Sequence, residues 1–265
     1  MGKALVIEGL QVSNPLCVVT LEEITPERVL GSYLSVNKSI SESEKTALKS
    51  MVGTFIDNGL LNKIKVLLPI CGSSASDMLI DVINPGGTII ADPSRYSVND
   101  NKLKFASAFN SSDVGTFANE ISTNNLSIYY GYKRVSNGNS NAMSLGTIDS
   151  QNIKLEATSG GNRQPILTVN GTSISASTTL LVDNRIICAK VEASSAHLYC
   201  NNQLLAEGAC SINENKLSQL INFSVCPSVD MWATFMCMAN NLTNDEETIM
   251  YNAIDTFLTT IGKRN

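Results

Sequence analysis

The chain has 265 residues, a net charge of −5, and a charged fraction of only 16% against 43% apolar residues. A chain of this length buries roughly three quarters of its unfolded surface, so a self-sufficient core is expected, as one large β domain or two small ones. Lysine and arginine are scattered without a basic stripe, which argues against nucleic acid as a partner, and no apolar run approaches the ~18 residues of a membrane span. Charge lies below the usual ~25% and is replaced by Ser, Thr and Asn, whose short side chains suit strands and tight turns.

Residues 1–30 read as an N-terminal β segment, with strands at Ala4–Ile7 and Cys17–Leu21 separated by the turn residues Asn14 and Pro15. Glu8 interrupts the stretch where a secretory apolar region would continue, so no signal peptide is expected and the chain is expected to fold where it is made. Residues 31–64 form a helical connector. Ser41 and Glu44 make a capping box ahead of Ala47, Leu48, Met51, Val52, Phe55 and Ile56, which recur at helical spacing, and Asn58-Gly59 ends the helix. From 65 onward the pattern becomes short β runs: 66–70, 88–91, 103–109, 126–132, 143–148, 153–157, 166–169, 179–182, 185–193, 196–200, 203–207, 217–223 and 229–238. Turn residues separate them at Pro85-Gly86-Gly87, Asn137-Gly138-Asn139, Ser159-Gly160-Gly161-Asn162, Asn170-Gly171 and Asn201-Asn202. This predicts a mainly β fold, a β-sandwich over 65–265. A helix over 243–261 closes it, capped by Thr243 with Glu246 at the box position. Its stripe runs Ile249, Met250, Ala253, Ile254, Phe257, Leu258 and Ile261, it stops at Gly262, and Lys263-Arg264 complement its dipole.

Signals for chemistry are sparse. The seven cysteines are odd in number, widely spaced and free of C-x-x-C, which reads as buried reduced thiols rather than a metal or disulfide framework. His197 is the single histidine and lies in an alternating strand, where a structural role is expected over a catalytic one. No paired carboxylates at i and i+4 on one strand, no phosphate-binding glycine loop and no zinc spacing are present, so neither cofactor nor metal is expected and the chain reads as non-enzymatic. Asn99-Asp100-Asn101 and Asn110-Ser111-Ser112-Asp113 supply oxygens that suit either calcium or Asx turns. Glu246-Glu247 belong to a helix start, where capping explains them. Tyr129, Tyr130 and Tyr132 share one strand, with Tyr129 facing one side and Tyr130 and Tyr132 alternating. They are the candidate ligand-binding residues on a glycan reading, as a stacking surface for a cell-surface glycan, with ordinary sheet packing expected over that role. Trp232 reads as core.

The run Val229-Asp230-Met231-Trp232-Ala233-Thr234-Phe235-Met236-Cys237-Met238-Ala239, followed by Asn240-Asn241-Leu242-Thr243-Asn244-Asp245-Glu246-Glu247 and the helix to Gly262-Lys263-Arg264, resembles the ending of a phage protein family. These are concanavalin A-like (laminin G-like) jelly-roll virion proteins of tailed phages of gut Bacteroides-type bacteria, including the crAss-like group. Ile186–Ala193 with His197-Leu198-Tyr199-Cys200-Asn201-Asn202-Gln203-Leu204-Leu205-Ala206 resembles the family's strand and hairpin. Leu60-Leu61-Asn62-Lys63-Ile64-Lys65-Val66-Leu67-Leu68-Pro69 resembles its entry to the sandwich, and Lys3-Ala4-Leu5-Val6-Ile7-Glu8-Gly9 its N-terminal segment. Leu61 stands where many relatives carry Trp, and residues 84–165 match weakly. The resemblance implies a structural virion component located in the virion, a head fibre, tail fibre or capsid-decoration subunit. It also implies a homo-oligomer joined to other virion proteins through the N-terminal segment. It supplies no catalytic residues.

Overall fold

The computed structural model describes residues 23–85, 94, 96–99, 102–105, 115–123, 125–134, 140–147, 150–159, 164–175, 184–212, 216–225 and 231–264. The two strands expected within residues 1–22 lie outside these, as do those expected at 88–91 and 179–182, the oxygen-rich stretches at 100–101 and 110–113, and the cysteines Cys17 and Cys226.

The described chain opens with α1 (Pro26–Val36), which has no counterpart among the expected elements. Its start is nevertheless signalled: Thr25 Oγ1 accepts from the Arg28 amide at 3.3 Å, Pro26 fills the first turn and Glu27 lies near the positive helix end. The expected capping box starts α2 (Glu42–Asp57), with Glu44 N donating to Ser41 Oγ at 3.3 Å and Ser41 N to Glu44 Oε2 at 2.9 Å. Then come β1 (Ile64–Leu68) and the short α3 (Ala75–Met78). The body is built from β2 (Tyr96–Asn99), β3 (Lys102–Phe105), β4 (Gly115–Ser122), β5 (Leu126–Arg134), β6 (Ser140–Thr147), β7 (Ser150–Ser159), β8 (Gln164–Val169), β9 (Thr172–Ser175), β10 (Asn184–Val191), β11 (Ser195–Cys200), β12 (Gln203–Ala209), β13 (Lys216–Val225) and β14 (Met231–Asn240). α4 (Asn244–Thr260) closes it on the second capping box, Thr243 with Glu246. β2, β4 and β9 were not signalled: β9 holds a single apolar residue, Ile174, and β4 lacks a clean alternation.

Two antiparallel sheets face each other. One runs β12-β11-β10-β5-β14-β3-β2, with β1 also paired to β14, and the other runs β4-β13-β6-β7-β8-β9. This is the mainly β sandwich expected from the sequence. Type I′ geometry closes two of its hairpins: Asn201 and Asn202 have φ of 49° and 61°, and Asn170 and Gly171 have 44° and 82°.

Apolar residues divide into two cores. Ile128, Tyr130, Tyr132, Leu155, Leu167, Ile187 and Met236 fill the space between the sheets. Tyr129, Ile186, Phe235 and Cys237 project from the opposite face of the larger sheet and pack under α1, α2 and α4, against Leu30, Leu48, Phe55, Ile254 and Phe257. The central strands β10, β5 and β14 are therefore buried on both faces, and Phe235-Met236-Cys237-Met238-Ala239 reads as a continuous apolar run for that reason. Gly131 permits this layering, because a Cβ there would lie 2.7 Å from Thr234 Oγ1 and 3.3 Å from Leu258 Cδ1 of α4.

Lys263, expected to complement the helix dipole, has a further role. Only 2% exposed, it donates from Nζ to the carbonyl of Ile70 and so ties the C-terminus to the loop after β1. Among the described residues no helix is long and apolar enough to cross a membrane.

Candidate functional site

The outer face of the larger sheet is not fully covered by helices. Beside the first turns of α4 a pocket of about 160 Å³ opens to solvent over β5, β10 and β11. Antiparallel register lays its floor as a row: Tyr199 of β11 pairs with Cys188 of β10, which pairs with Tyr129 of β5. The small thiol between two phenols leaves a depression that a larger residue would fill. One step along, His197, Lys190 and Ser127 form the next row. Asn244, Glu247, Thr248 and Tyr251, spaced i, i+3, i+4 and i+7, form the α4 wall, and Asn202 of the β11–β12 turn completes the rim.

Glu247 is the centre of the polar network. Ser127 Oγ donates to its Oε1 and the Tyr129 hydroxyl to its Oε2, with the Cys188 thiol 4.0 Å from Oε2. Burial pushes the Glu247 carboxyl above the usual carboxylate range, and the hydrogen bonds from Ser127 and Tyr129, with the charge of Lys190, pull part of the way back. Burial likewise raises the phenols of Tyr129, Tyr199 and Tyr251 and the thiol of Cys188, so these stay protonated donors at neutral pH. Lys190 donates from Nζ to Asn244 Oδ1 at 3.0 Å and lies 3.6 Å from Glu192 Oε1. Arg264 fixes the far rim: it reaches Asp255 Oδ1 at 2.6 Å, Asn201 Oδ1 at 3.2 Å and the Tyr251 hydroxyl at 3.3 Å.

The three tyrosines named from the sequence do not form an outward platform. Tyr130 and Tyr132, 0% and 3% exposed, stack on each other at 6.1 Å between the sheets, and Tyr129, 1% exposed, lies in the opposite core with its hydroxyl at the pocket floor. Coverage is the reason: β5 is a central strand with a sheet on one face and helices on the other. His197 is partly exposed on β11, its Nε2 3.4 Å from Glu192 and its Nδ1 3.5 Å from Glu207, with its ring stacked on Tyr199 at 6.4 Å. Trp232 is half-buried at the start of β14. The described cysteines are all free thiols, and among the described residues no group of three or more His, Cys, Asp or Glu side chains gathers as a metal site would require. Glu247 is the residue that sequence reasoning misassigned. Its neighbour Glu246 caps the helix, whereas Glu247 turns into the sheet, and the polar stripe Asn244-Glu247-Thr248-Tyr251 was the signal that marked it.

No family model and no curated protein matches this sequence. Similar solved structures do exist. The sialidase of Trypanosoma rangeli in complex with sialic acid superposes with a TM-score of 0.53 at 12% identity, over 80% of this chain and 39% of the sialidase chain. A second structure of that sialidase gives 0.52 at 14% identity, with the same 80% and 39%. The binding domain of Paraclostridial Mosquitocidal Protein 1 gives 0.50 at 12%, over 73% of this chain and 52% of that one. At these identities the likeness establishes a shared fold, and the chain spans well under half the length of the sialidases. The expectation of a non-enzymatic chain is corrected by these likenesses: sandwiches of this kind occur within sialidase chains as well as in the binding domain of a mosquitocidal protein, so a lack of catalytic sequence motifs does not set the chain apart from enzymes.

The Glu247 network has a pH signature. A carboxyl whose folded-state pKa is raised favours the fold while protonated. That contribution is complete below the ordinary value of 4.5 and is lost as pH rises through the raised value. Denaturant unfolding of the wild type and of Glu247→Gln at about pH 4 and about pH 8 should show the wild type losing stability relative to the variant on going to the higher pH. An unchanged difference would remove the raised carboxyl from the account.

Proposed function

We propose that this sandwich is a lectin-like glycan-binding module whose sugar site is the pocket beside α4. The observation that carries the reading is the composition of that pocket: a carboxyl at Glu247, amides at Asn202 and Asn244, and the half-exposed ring of Tyr199, gathered around one concavity. Sugars present hydroxyls to acceptors and apolar ring faces to aromatics, and a few convergent polar groups beside aromatic surface are what small-ligand sites supply. A volume of about 160 Å³ falls below the ~300–1,000 Å³ of sites for larger ligands, so a single ring fits better than a chain. Likeness of fold to a chain solved with sialic acid supports the same reading.

A glycan array followed by calorimetry tests it. The protein should bind at least one class of glycan, and Tyr199→Ala should weaken that binding about tenfold or more. Glycan binding unchanged in both Tyr199→Ala and Glu247→Gln would move the site elsewhere.

We further propose that the module works on the surface of a tailed-phage virion, as a fibre or decoration subunit held through residues 1–30 and assembled as a homo-oligomer. The resemblance of residues 186–206 and 229–264 to jelly-roll virion proteins supports this setting. Antibody labelling of purified particles, viewed by electron microscopy, should place the protein on capsid or tail. Particles that carry none of it would end the virion reading.

A further inference from the structure

We infer that the pocket selects an uncharged sugar residue and turns acidic sugars away, an inference that rests on the glycan-binding reading above. An acidic sugar needs a cation with charge to spare, and among the described residues the only cation lining this pocket is Lys190. Its side chain is 10% exposed, its Nζ donates to Asn244 Oδ1 at 3.0 Å, and Glu192 Oε1 lies 3.6 Å away. The Glu247 carboxyl lines the same pocket. The ammonium is thus already engaged by Asn244 and Glu192 before any ligand arrives.

Among the described residues, the charged groups around Lys190 are already engaged with one another. Glu192 takes further hydrogen bonding from Ser195 Oγ at 3.0 Å and lies 3.4 Å from His197 Nε2, whose other nitrogen is 3.5 Å from Glu207. Arg264 at the opposite rim is engaged by Asp255 at 2.6 Å. The positive end of α4 points toward this region, but Asp245, Glu246 and Glu247 occupy its first turn and Lys63 is held by Glu246 at 2.7 Å. A ligand carboxylate would therefore enter beside like charge in a partly dehydrated site, where repulsion is weakly screened. A neutral ring meets the opposite situation: its hydroxyls donate to Glu247 and to the Asn202 and Asn244 amide oxygens, and its face packs on Tyr199.

The test uses matched glycans on one array: neutral termini (hexose and N-acetylhexosamine) against the same scaffolds capped with sialic or uronic acid. Neutral termini should bind at least about tenfold more tightly than their acid-capped counterparts. Glu192→Gln, which frees Lys190 from one carboxylate without altering the pocket lining, should narrow that gap about threefold or more. Equal or tighter binding of acid-capped glycans overturns the inference and leaves the glycan-binding reading standing. A gap unmoved by Glu192→Gln overturns the charge argument, and binding of no glycan at all overturns both.

Discussion

Burial of β10, β5 and β14 on both faces is the constraint from which the rest of the molecule follows. Facing the second sheet, these strands supply Ile187, Tyr130 and Met236, and facing the helices they supply Ile186, Tyr129 and Phe235. An antiparallel sheet commonly leaves one face to water. Here the helices at the two ends of the described chain cover that face, with α1 and α2 before the sandwich and α4 after it. Gly131 lets α4 approach, and Lys263 holds the C-terminus to the loop after β1. The sandwich and its helical cover are thus one packed unit in which the outer face of the sheet serves as a second core.

Incomplete cover creates the site. α4 reaches the sheet with an apolar stripe, Met250, Ala253, Ile254, Phe257 and Leu258, and turns a polar stripe toward β10 and β11. Where the apolar contact ends, Glu247 is bound by Ser127 and Tyr129, residues about 120 positions earlier in the chain. That network fixes the first turns of the helix over the row Tyr199-Cys188-Tyr129, and Arg264 fixes the opposite rim through Asn201 and Tyr251. The pocket is framed by strands β5, β10 and β11, by α4 and by the β11–β12 turn, and a preformed frame suits recognition of a small, stiff ligand such as a sugar ring. On the proposed reading, the engagement of Lys190, the one cation that lines it among the described residues, then sets which sugars fit.

Local signals in the sequence located much of the fold. Both capping boxes start helices where Ser41-Glu44 and Thr243-Glu246 placed them, and Asn170-Gly171 and Asn201-Asn202 make the turns their backbone preferences favour. Local pattern is blind to what covers a face. Tyr129, Tyr130 and Tyr132 look like a half-exposed strand because alternation in β5 cannot reveal that helices lie on one side and a sheet on the other. The same blindness hid the site: Glu247 and Tyr129 are joined only by the packing of α4 on β5, and Glu247 looks from sequence like one more acidic residue in a first turn. Absence of catalytic motifs was equally uninformative, since the architecture itself is shared with sialidase chains.

On the proposed reading a sugar sits between Tyr199 and Glu247 beside the N-terminal turns of α4. A crystal structure of the protein with the array's best neutral monosaccharide tests this most directly. One ring should occupy that pocket, with a hydroxyl on the Glu247 carboxyl and a ring face on Tyr199. A sugar held on a loop at the rim of the sandwich, with the α4 pocket left to solvent, would contradict it.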